Sequence, residues 1–493
     1  METNGPPAKG LAEHFPQLSA NEAVVEANRC LFCYDAPCTH ACPTHIDIPR
    51  FIKKIATNNM VGSASAILEA NLLGATCARV CPVQELCEGS CVLGADHKPI
   101  MIGRLQRYAM DYVYQRSIDV VKRAPSTGRT IAVIGSGPAG LSCAGELARR
   151  GHSVTVFEKR ELAGGLSTYG IIAIREPVET ALAEVAMIER LGVRIETNTE
   201  LGRNLDLPDL QARFDAIFLG AGLGATPAMG IPGEELIVDG LHYIEQSKLN
   251  GGAMSIGRRV VVIGAGNTAI DCATIAKRLG AEQVTMVYRR TATEMTAYLH
   301  EVEFVRKEGV EFRFLAQPAS VLAENGRVTG LNCLHMELGA EDESGRRAPY
   351  PVNGAEFTIP ADQVVKAIGQ EKPALAVRLG LALDKGYIRV NSDFETSLPG
   401  VFAGGDCIRA QNAASTVMAV QDGKLERPRL TGGSLVGKRR KTWRILVSNS
   451  QGSSRRILFG WRRLLPPIPA RRYIVPSRRV GEAPYGRPSG RLC

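Results

Sequence analysis

At 493 residues and 45% hydrophobic content, the chain exceeds one ordinary core, so two to four domains are expected and a disordered chain is excluded. The formal charge of +9 is uneven: residues 426–493 carry 15 Arg, 2 Lys and 2 Glu, a net of +15, and the rest of the chain is at −6. No apolar run of about 18 residues occurs. METNGPPAKGLAEHF also lacks a basic segment followed by an apolar one, so neither a membrane span nor a signal peptide is expected, and the cytosol is the expected compartment.

Residues 1–125 read as mostly helical. LSANEAVVEANRC offers Ser19 as an N-cap with Glu22 three residues later, and ASAILEANLLG has helical periodicity with Gly74 as a stop. The same stretch holds eight of the 13 cysteines. Cys30, Cys33, Cys38 and Cys42, then Cys81, Cys87 and Cys91, have spacings that let bent loops wrap iron–sulfur clusters, with Pro after Cys42 and Cys81 turning the chain away. Structural zinc and redox disulfides are the competing readings. Zinc favours paired C-x-x-C knuckles, and only Cys30 and Cys33 have that spacing. Cys77 reads as a buried packing residue.

A polar hinge, RAPSTGR, precedes the first strong strand, TIAVIG. Gly135, Gly137, Ala139 and Gly140 of GSGPAG then join strand to helix as a G-x-G-x-x-G turn, which lets backbone approach a pyrophosphate and helix pack on strand. Glu158 ends the next strand, where a carboxylate can take a ribose hydroxyl. A second strand–turn–helix start follows in RRVVVIGAGNTAIDCATIAKRLG, with Gly264, Gly266, Asn267, Thr268 and Asp271 as candidate dinucleotide contacts. Its next strand ends in Tyr288, Arg289 and Arg290, and an Arg there either contacts a 2′-phosphate or forms part of a solvated charge pair. In TSLPGVFAGGDC, a buried strand leads through Gly404 and Gly405 to Asp406, a carboxylate placed to accept hydrogen bonds from a polyol. With two Rossmann starts in this order, that polyol is the ribityl chain of FAD. No cysteine pair lies beside either dinucleotide fold, which argues against a flavin disulfide reductase and directs electrons toward the Fe–S segment.

The expected fold is an α-helical N-terminal Fe–S domain (1–125) followed by α/β structure with two Rossmann-like dinucleotide-binding domains. The FAD domain is split into 126–250 and 371–425 around an NAD(P) domain at 251–370. Residues 426–493 form a basic tail expected to be disordered. Nucleic-acid binding by that tail is a separate reading, discounted because the segment has no evolved core.

The Cys pattern, GSGPAGL, GGLSTYGI, GAGNTAID, YRR and FAGGD, in this order, resemble the family containing the glutamate synthase small subunit and the N-terminal half of dihydropyrimidine dehydrogenase. The resemblance runs from about residue 15 to Leu425. It implies FAD, NAD(P)H and two [4Fe–4S] clusters, with Cys30, Cys33, Cys38 and Gln106 at the first and Cys42, Cys81, Cys87 and Cys91 at the second. It further implies that Gly165, Leu166 and Gly170 contact flavin. The likeness is greatest to the electron-input subunit of the bacterial two-subunit dihydropyrimidine dehydrogenase. The implied partner is an FMN-containing pyrimidine-reducing subunit, with the glutamate synthase small subunit as the alternative role.

The pattern departs from the family after Leu425, where Pro428 cannot continue a helix. Back-translating the tail and regrouping the bases out of frame permits MADLS near 442–447 and SPNPFWLASAPPTD near 454–468, the latter resembling the start of the pyrimidine-reducing partner. A frameshift into the partner's gene is therefore expected.

Overall fold

A computed structural model describes residues 9–341, 345–409 and 415–425. The basic tail, its expected disorder and its regrouped reading lie outside the described residues.

Six helices build the first domain: α1 (Ala20–Asn28), α2 (Pro37–Ala41), α3 (Ile48–Ala56), α4 (Met60–Ala70), α5 (Gly74–Val80) and α6 (Ile102–Gln115). α1 opens on the expected capping box: the Ser19 N–H donates to Glu22 Oε2 at 2.8 Å, and the Glu22 N–H donates to Ser19 Oγ at 3.3 Å. In α3, Ile48, Phe51, Ile52 and Ile55 recur at helical spacing and are all buried, each stabilising by about 1.5–3 kcal/mol.

Gly74 differs from its expected role. It begins α5 instead of stopping α4, and the two helices meet at 85°. A Cβ on Gly74 would come within 2.7 Å of Ile67 Cγ2, so the glycine is what allows this corner to close. No single helix among the described residues is long and apolar enough to cross a membrane, and most residues of the bent α4–α5 pair are buried in the core.

The strands that follow are β1 (Thr130–Ile134), β2 (Ser153–Phe157), β3 (Arg194–Glu196), β4 (Ala216–Leu219), β5 (Val238–Asp239), β6 (Arg259–Ile263), β7 (Gln283–Tyr288) and β8 (Glu311–Phe314). After them come β9 (Ala316–Glu324), β10 (Arg327–Glu341), β11 (Arg347–Pro360), β12 (Gln363–Lys366), β13 (Leu383–Asp384), β14 (Tyr387–Ile388) and β15 (Val401–Ala403). The interleaved helices are α7 (Pro138–Arg149), α8 (Leu166–Tyr169), α9 (Val178–Arg190), α10 (Leu207–Arg213), α11 (Gly240–Leu249), α12 (Asn267–Arg278), α13 (Leu299–Lys307), α14 (Ala374–Arg378) and α15 (Thr416–Leu425).

Two parallel five-stranded sheets result, ordered β15-β4-β1-β2-β3 and β5-β12-β6-β7-β8. The short apolar runs read as buried parallel strands because helices cover both faces. β15 returns to the first sheet beside β4, pairing Val401 with Ile217 and Ala403 with Leu219. The first sheet is thereby completed by residues that follow the whole of the second. An antiparallel sheet, β11-β10-β9, interrupts the second Rossmann fold before β12. One apolar core runs without a break from the N-terminal helices into the first sheet, including Ile67, Leu72, Val133 and Ile188. Gly145 of α7 permits this contact, since a Cβ there would lie 2.6 Å from Leu72 Cδ1.

Candidate functional site

The cysteines of the helical domain line two hollows. Cys30, Cys33, Cys38 and Cys91 line the first. Cys42, Cys77, Cys81, Cys87 and Gln106 line the second, together with Val417 of α15. This corrects the expected division, because Cys91 and Gln106 exchange places. The physical reason is the turn after Cys81. The Val83 carbonyl accepts N–H groups from Leu86, Glu88 and Gly89 at 3.2, 2.9 and 3.1 Å, which reverses the chain and carries Cys91 to the Cys30 loop. Gln106 faces the other way because its Nε2 donates to Gly74 O at 2.7 Å, holding it beside α5.

The Cys30 loop is tight. Phe32, between Cys30 and Cys33, sits at φ 51°, a left-handed conformation costing a bulky residue on the order of 1–3 kcal/mol. Burial pushes the Cys38 thiol up to about 11 and also raises Cys30 and Cys87; contact with the Cys77 thiol, then burial, raises Cys81. Such thiols stay protonated at neutral pH unless a bound centre supplies opposing charge. Among the described residues no three Cys, His, Asp or Glu side chains converge as a single-ion site. Soft donors spaced around a hollow fit a multi-iron cluster better than one tetrahedral zinc.

Three turns converge on the first sheet. Gly135 takes φ 92°, and a Cβ on Gly140 would lie 1.9 Å from Gly135 O, so the third glycine lets α7 pack on the turn. A Cβ on Gly137 would meet nothing within 4 Å, which leaves the helix N-terminus open to a phosphate. Glu158 at the end of β2 is buried, accepting from Ser136 N–H at 2.9 Å, Ser136 Oγ at 2.6 Å and Arg160 N–H at 2.9 Å. Gly165 packs against the same turn, where a Cβ would approach Gly137 Cα to 2.6 Å; Leu166 is exposed and Gly170 caps α8. Gly405 touches α7 as well, since a Cβ there would reach 2.9 Å from the Ala139 Cβ. Asp406 Oδ1 is buried without a protein partner, and burial pushes this carboxyl up to about 6. That orphaned oxygen beside the Gly137 turn fits the hydroxyl-rich chain of FAD.

Sequence reasoning missed the lock on this turn. Asp422 of α15 is 1% exposed, accepts the Gly405 N–H at 2.9 Å and pairs with Arg409. Lys424 on the same helix donates to Thr44 O at 2.7 Å, two residues beyond Cys42. The only signal was a charged pair in MAVQDGKL, an otherwise apolar helix.

In the second fold Gly264 takes φ 133°, and a Cβ there would strike Ala367 O at 2.2 Å. Gly266, Asn267 and Thr268 are partly accessible at the start of α12, and Asn267 Oδ1 accepts the Tyr298 N–H at 3.2 Å. Asp271 does not face that opening. It is buried against Arg175 at 2.9 Å, and burial pushes it up to about 7. Arg289 and Arg290 also part company. Arg289 is exposed, whereas Arg290 is 4% exposed and its Nε donates to Arg347 O at 2.8 Å.

Comparison with known proteins matches the two parts of the chain to two families. Residues 8–118 match the family described as dihydropyrimidine dehydrogenase domain II, 4Fe–4S cluster, and residues 129–423 match pyridine nucleotide-disulphide oxidoreductase. The chain is 34% identical to the glutamate synthase [NADPH] small chain of Escherichia coli (strain K12), over 84% of this chain and 94% of that one. It is also 34% identical to the NAD-dependent dihydropyrimidine dehydrogenase subunit PreT of the same organism, over 84% and 95%. Identity is 37% to the NADP(+)-dependent formate dehydrogenase subunit beta of Moorella thermoacetica, covering 79% of this chain but only 58% of that protein. Among solved structures, Mycobacterium tuberculosis FprA in complex with NADPH shares the fold, with a TM-score of 0.51 at 20% identity over 64% of this chain and 85% of that one. The chain uses 4Fe–4S, FAD and pyridine-nucleotide chemistry. It belongs to the pyridine nucleotide-disulphide oxidoreductases that carry a dihydropyrimidine dehydrogenase-type 4Fe–4S domain, the group of electron-transfer subunits that includes the glutamate synthase small chains.

Proposed function

We propose that this chain is the electron-input subunit of a dihydropyrimidine dehydrogenase, passing electrons from NADH to a partner that reduces the 5,6 double bond of uracil or thymine. When bound, FAD accepts hydride from the nicotinamide and the clusters carry the electrons onward one at a time. We assign Cys30, Cys33, Cys38 and Cys91 to one [4Fe–4S] cluster and Cys42, Cys81, Cys87 and Gln106 to the other. FAD is assigned to Gly135, Gly137, Ala139, Gly140, Glu158, Gly165, Leu166, Gly170, Gly405 and Asp406, within 126–250 and 371–425. The dinucleotide of 251–370 is assigned to Gly264, Gly266, Asn267, Thr268 and Arg289.

The observation that carries the electron-transfer reading is α15, which reaches both sites. Asp422 fixes the Gly405 turn, and Val417 lines the hollow of Cys42, Cys81, Cys87 and Gln106. NADH is favoured over NADPH because Arg290 is spent on Arg347 O and Thr296 stands where a second basic anchor would be expected. The pyrimidine reading is supported by the regrouped tail, which permits SPNPFWLASAPPTD, and by the relative PreT. A glutamate synthase role is the alternative, and the relative in that family is equally similar. Co-purification from the source cells decides between them: a flavoprotein supporting NADH-dependent loss of uracil is expected, and glutamate formed from glutamine and 2-oxoglutarate would overturn the assignment.

A further inference from the structure

Two buried carboxyl groups meet one hydroxyl between the helical domain and the Rossmann core. Thr76 Oγ1 lies 2.5 Å from Glu176 Oε1 and 2.5 Å from Glu184 Oε2. Glu176 is 0% and Glu184 1% exposed. A hydroxyl has one proton to donate, so it can serve only one of two carboxylates. The second contact requires a carboxyl O–H pointing back at the hydroxyl oxygen, and the three residues therefore hold a proton between them. The Ala75 and Thr76 N–H groups donate to Glu184 Oε1 at 2.7 and 3.2 Å, so Glu184 is the first of the two carboxyls to ionise as pH rises, with a proton left on Glu176.

The surrounding charges leave this trio finely balanced. Lys248 of α11 faces Glu176 and donates to Ser167 O at 2.6 Å; Glu179 and Asp271 in turn face Lys248. Arg79 and Glu13 also act on Glu176, but Arg79 is engaged by Glu13 at 3.1 Å and Asp111 at 2.9 Å. The Tyr114 phenol faces Glu184 and stays protonated. The position is as telling as the charge. Thr76 lies on α5, which carries Cys77 and leads into Cys81, and Gln106 is anchored on Gly74 O of the same helix. Ser167 belongs to α8, whose N-cap Gly165 packs against the Gly137 turn.

We propose that Glu176, Thr76 and Glu184 form a proton relay that takes up one proton when one electron enters the hollow of Cys42, Cys81, Cys87 and Gln106, and releases it when the electron leaves. The inference rests on the reading that this hollow holds a 4Fe–4S cluster. The electron comes from reduced flavin. The proton comes from solvent and forms an O–H bond on the carboxylate that was ionised, a bond that breaks on reoxidation. The added negative charge is thus cancelled across one helix instead of being left in an apolar interior, where an uncompensated charge is costly.

The full-length holoprotein is titrated with dithionite across the pH range from about 8 upward, where the Glu184 carboxyl, raised to about 8 by burial, is ionised before reduction, and cluster reduction is followed by paramagnetic resonance. At a fixed solution potential the ratio of reduced to oxidised cluster should fall about tenfold per pH unit through this range. Thr76→Val and Glu184→Gln should each flatten that slope, and Thr76→Ser should restore it. A purely structural role would lower thermal stability and leave the slope in place. Glu88, raised to about 7 mainly by its burial beside Cys87, is the competing titrating group, and Glu88→Gln should keep the slope. A pH-independent wild type, a slope surviving in both Thr76→Val and Glu184→Gln, or one lost in Glu88→Gln overturns the relay. Iron content is measured first, since iron-free protein would instead sink the cluster reading.

Discussion

Asp422 Oδ2 accepts the backbone N–H of Gly405 at 2.9 Å, tying the last described helix to the turn that presents Asp406. The carboxylate is buried and also pairs with Arg409, so removing it leaves a part-buried cation and an orphaned amide. Asp422→Ala should destabilise the protein by about 3–5 kcal/mol. The purified variant should contain less flavin, read as the ratio of flavin to protein absorbance. Normal flavin content would show that α15 does not set this turn.

The glycines of the first turn separate folding from binding. Gly140→Ala should unfold or strongly destabilise the chain, because its Cβ would lie 1.9 Å from Gly135 O. Gly137→Ala meets no protein atom and should fold with near wild-type secondary structure by circular dichroism. It should nevertheless lose flavin, because the methyl occupies the approach of the pyrophosphate.

Cys91→Ser and Gln106→Leu should damage different centres. Cys91→Ser should remove the signal of the centre held with Cys30, Cys33 and Cys38 and lower iron content by about half, as two equal clusters require. Gln106→Leu should alter only the other signal. Resonance spectra of the reduced variants test this, and identical spectra would contradict the division between the two hollows.

Stability should depend on pH through Glu184. Burial raises its carboxyl from 4.5 to about 8 in the folded protein, so the folded state binds the extra proton between those values. The contribution is full below 4.5 and is lost as pH rises toward 8, by at most about 1.4 kcal/mol per pH unit. Glu184→Gln should flatten this decline in denaturant midpoints measured across the same range.

Arg289→Ala should weaken any NADPH reduction of an artificial acceptor several-fold and leave NADH reduction nearly unchanged, because Arg289 is the exposed member of its pair. Arg290→Ala should instead lower thermal stability, since its Nε holds Arg347 O. Steady-state rates with each nucleotide and a melting curve distinguish the two.

Much of this protein was legible along the chain because its chemistry is local. The turns at Gly135 and Gly264, the capping box at Ser19 and the buried strand before Asp406 depend on residues within a few positions of one another, and spacing reports them directly. The cluster division was not local. A reversal centred on Val83 O sends Cys91 to one hollow, and an amide bond to Gly74 O turns Gln106 into the other. Gly74 reads along the chain as a helix stop, and only the approach of Ile67 shows it to be the pivot of a corner. The same holds for charge. Asp271 and Arg290 carry the residue types of a nucleotide site, yet packing turns them toward Arg175 and Arg347. Residue type and short spacing thus determined which cofactors this chain is built for. Long-range packing alone decided which side chains face each one, because burial and hydrogen-bond geometry are set by neighbours distant in sequence.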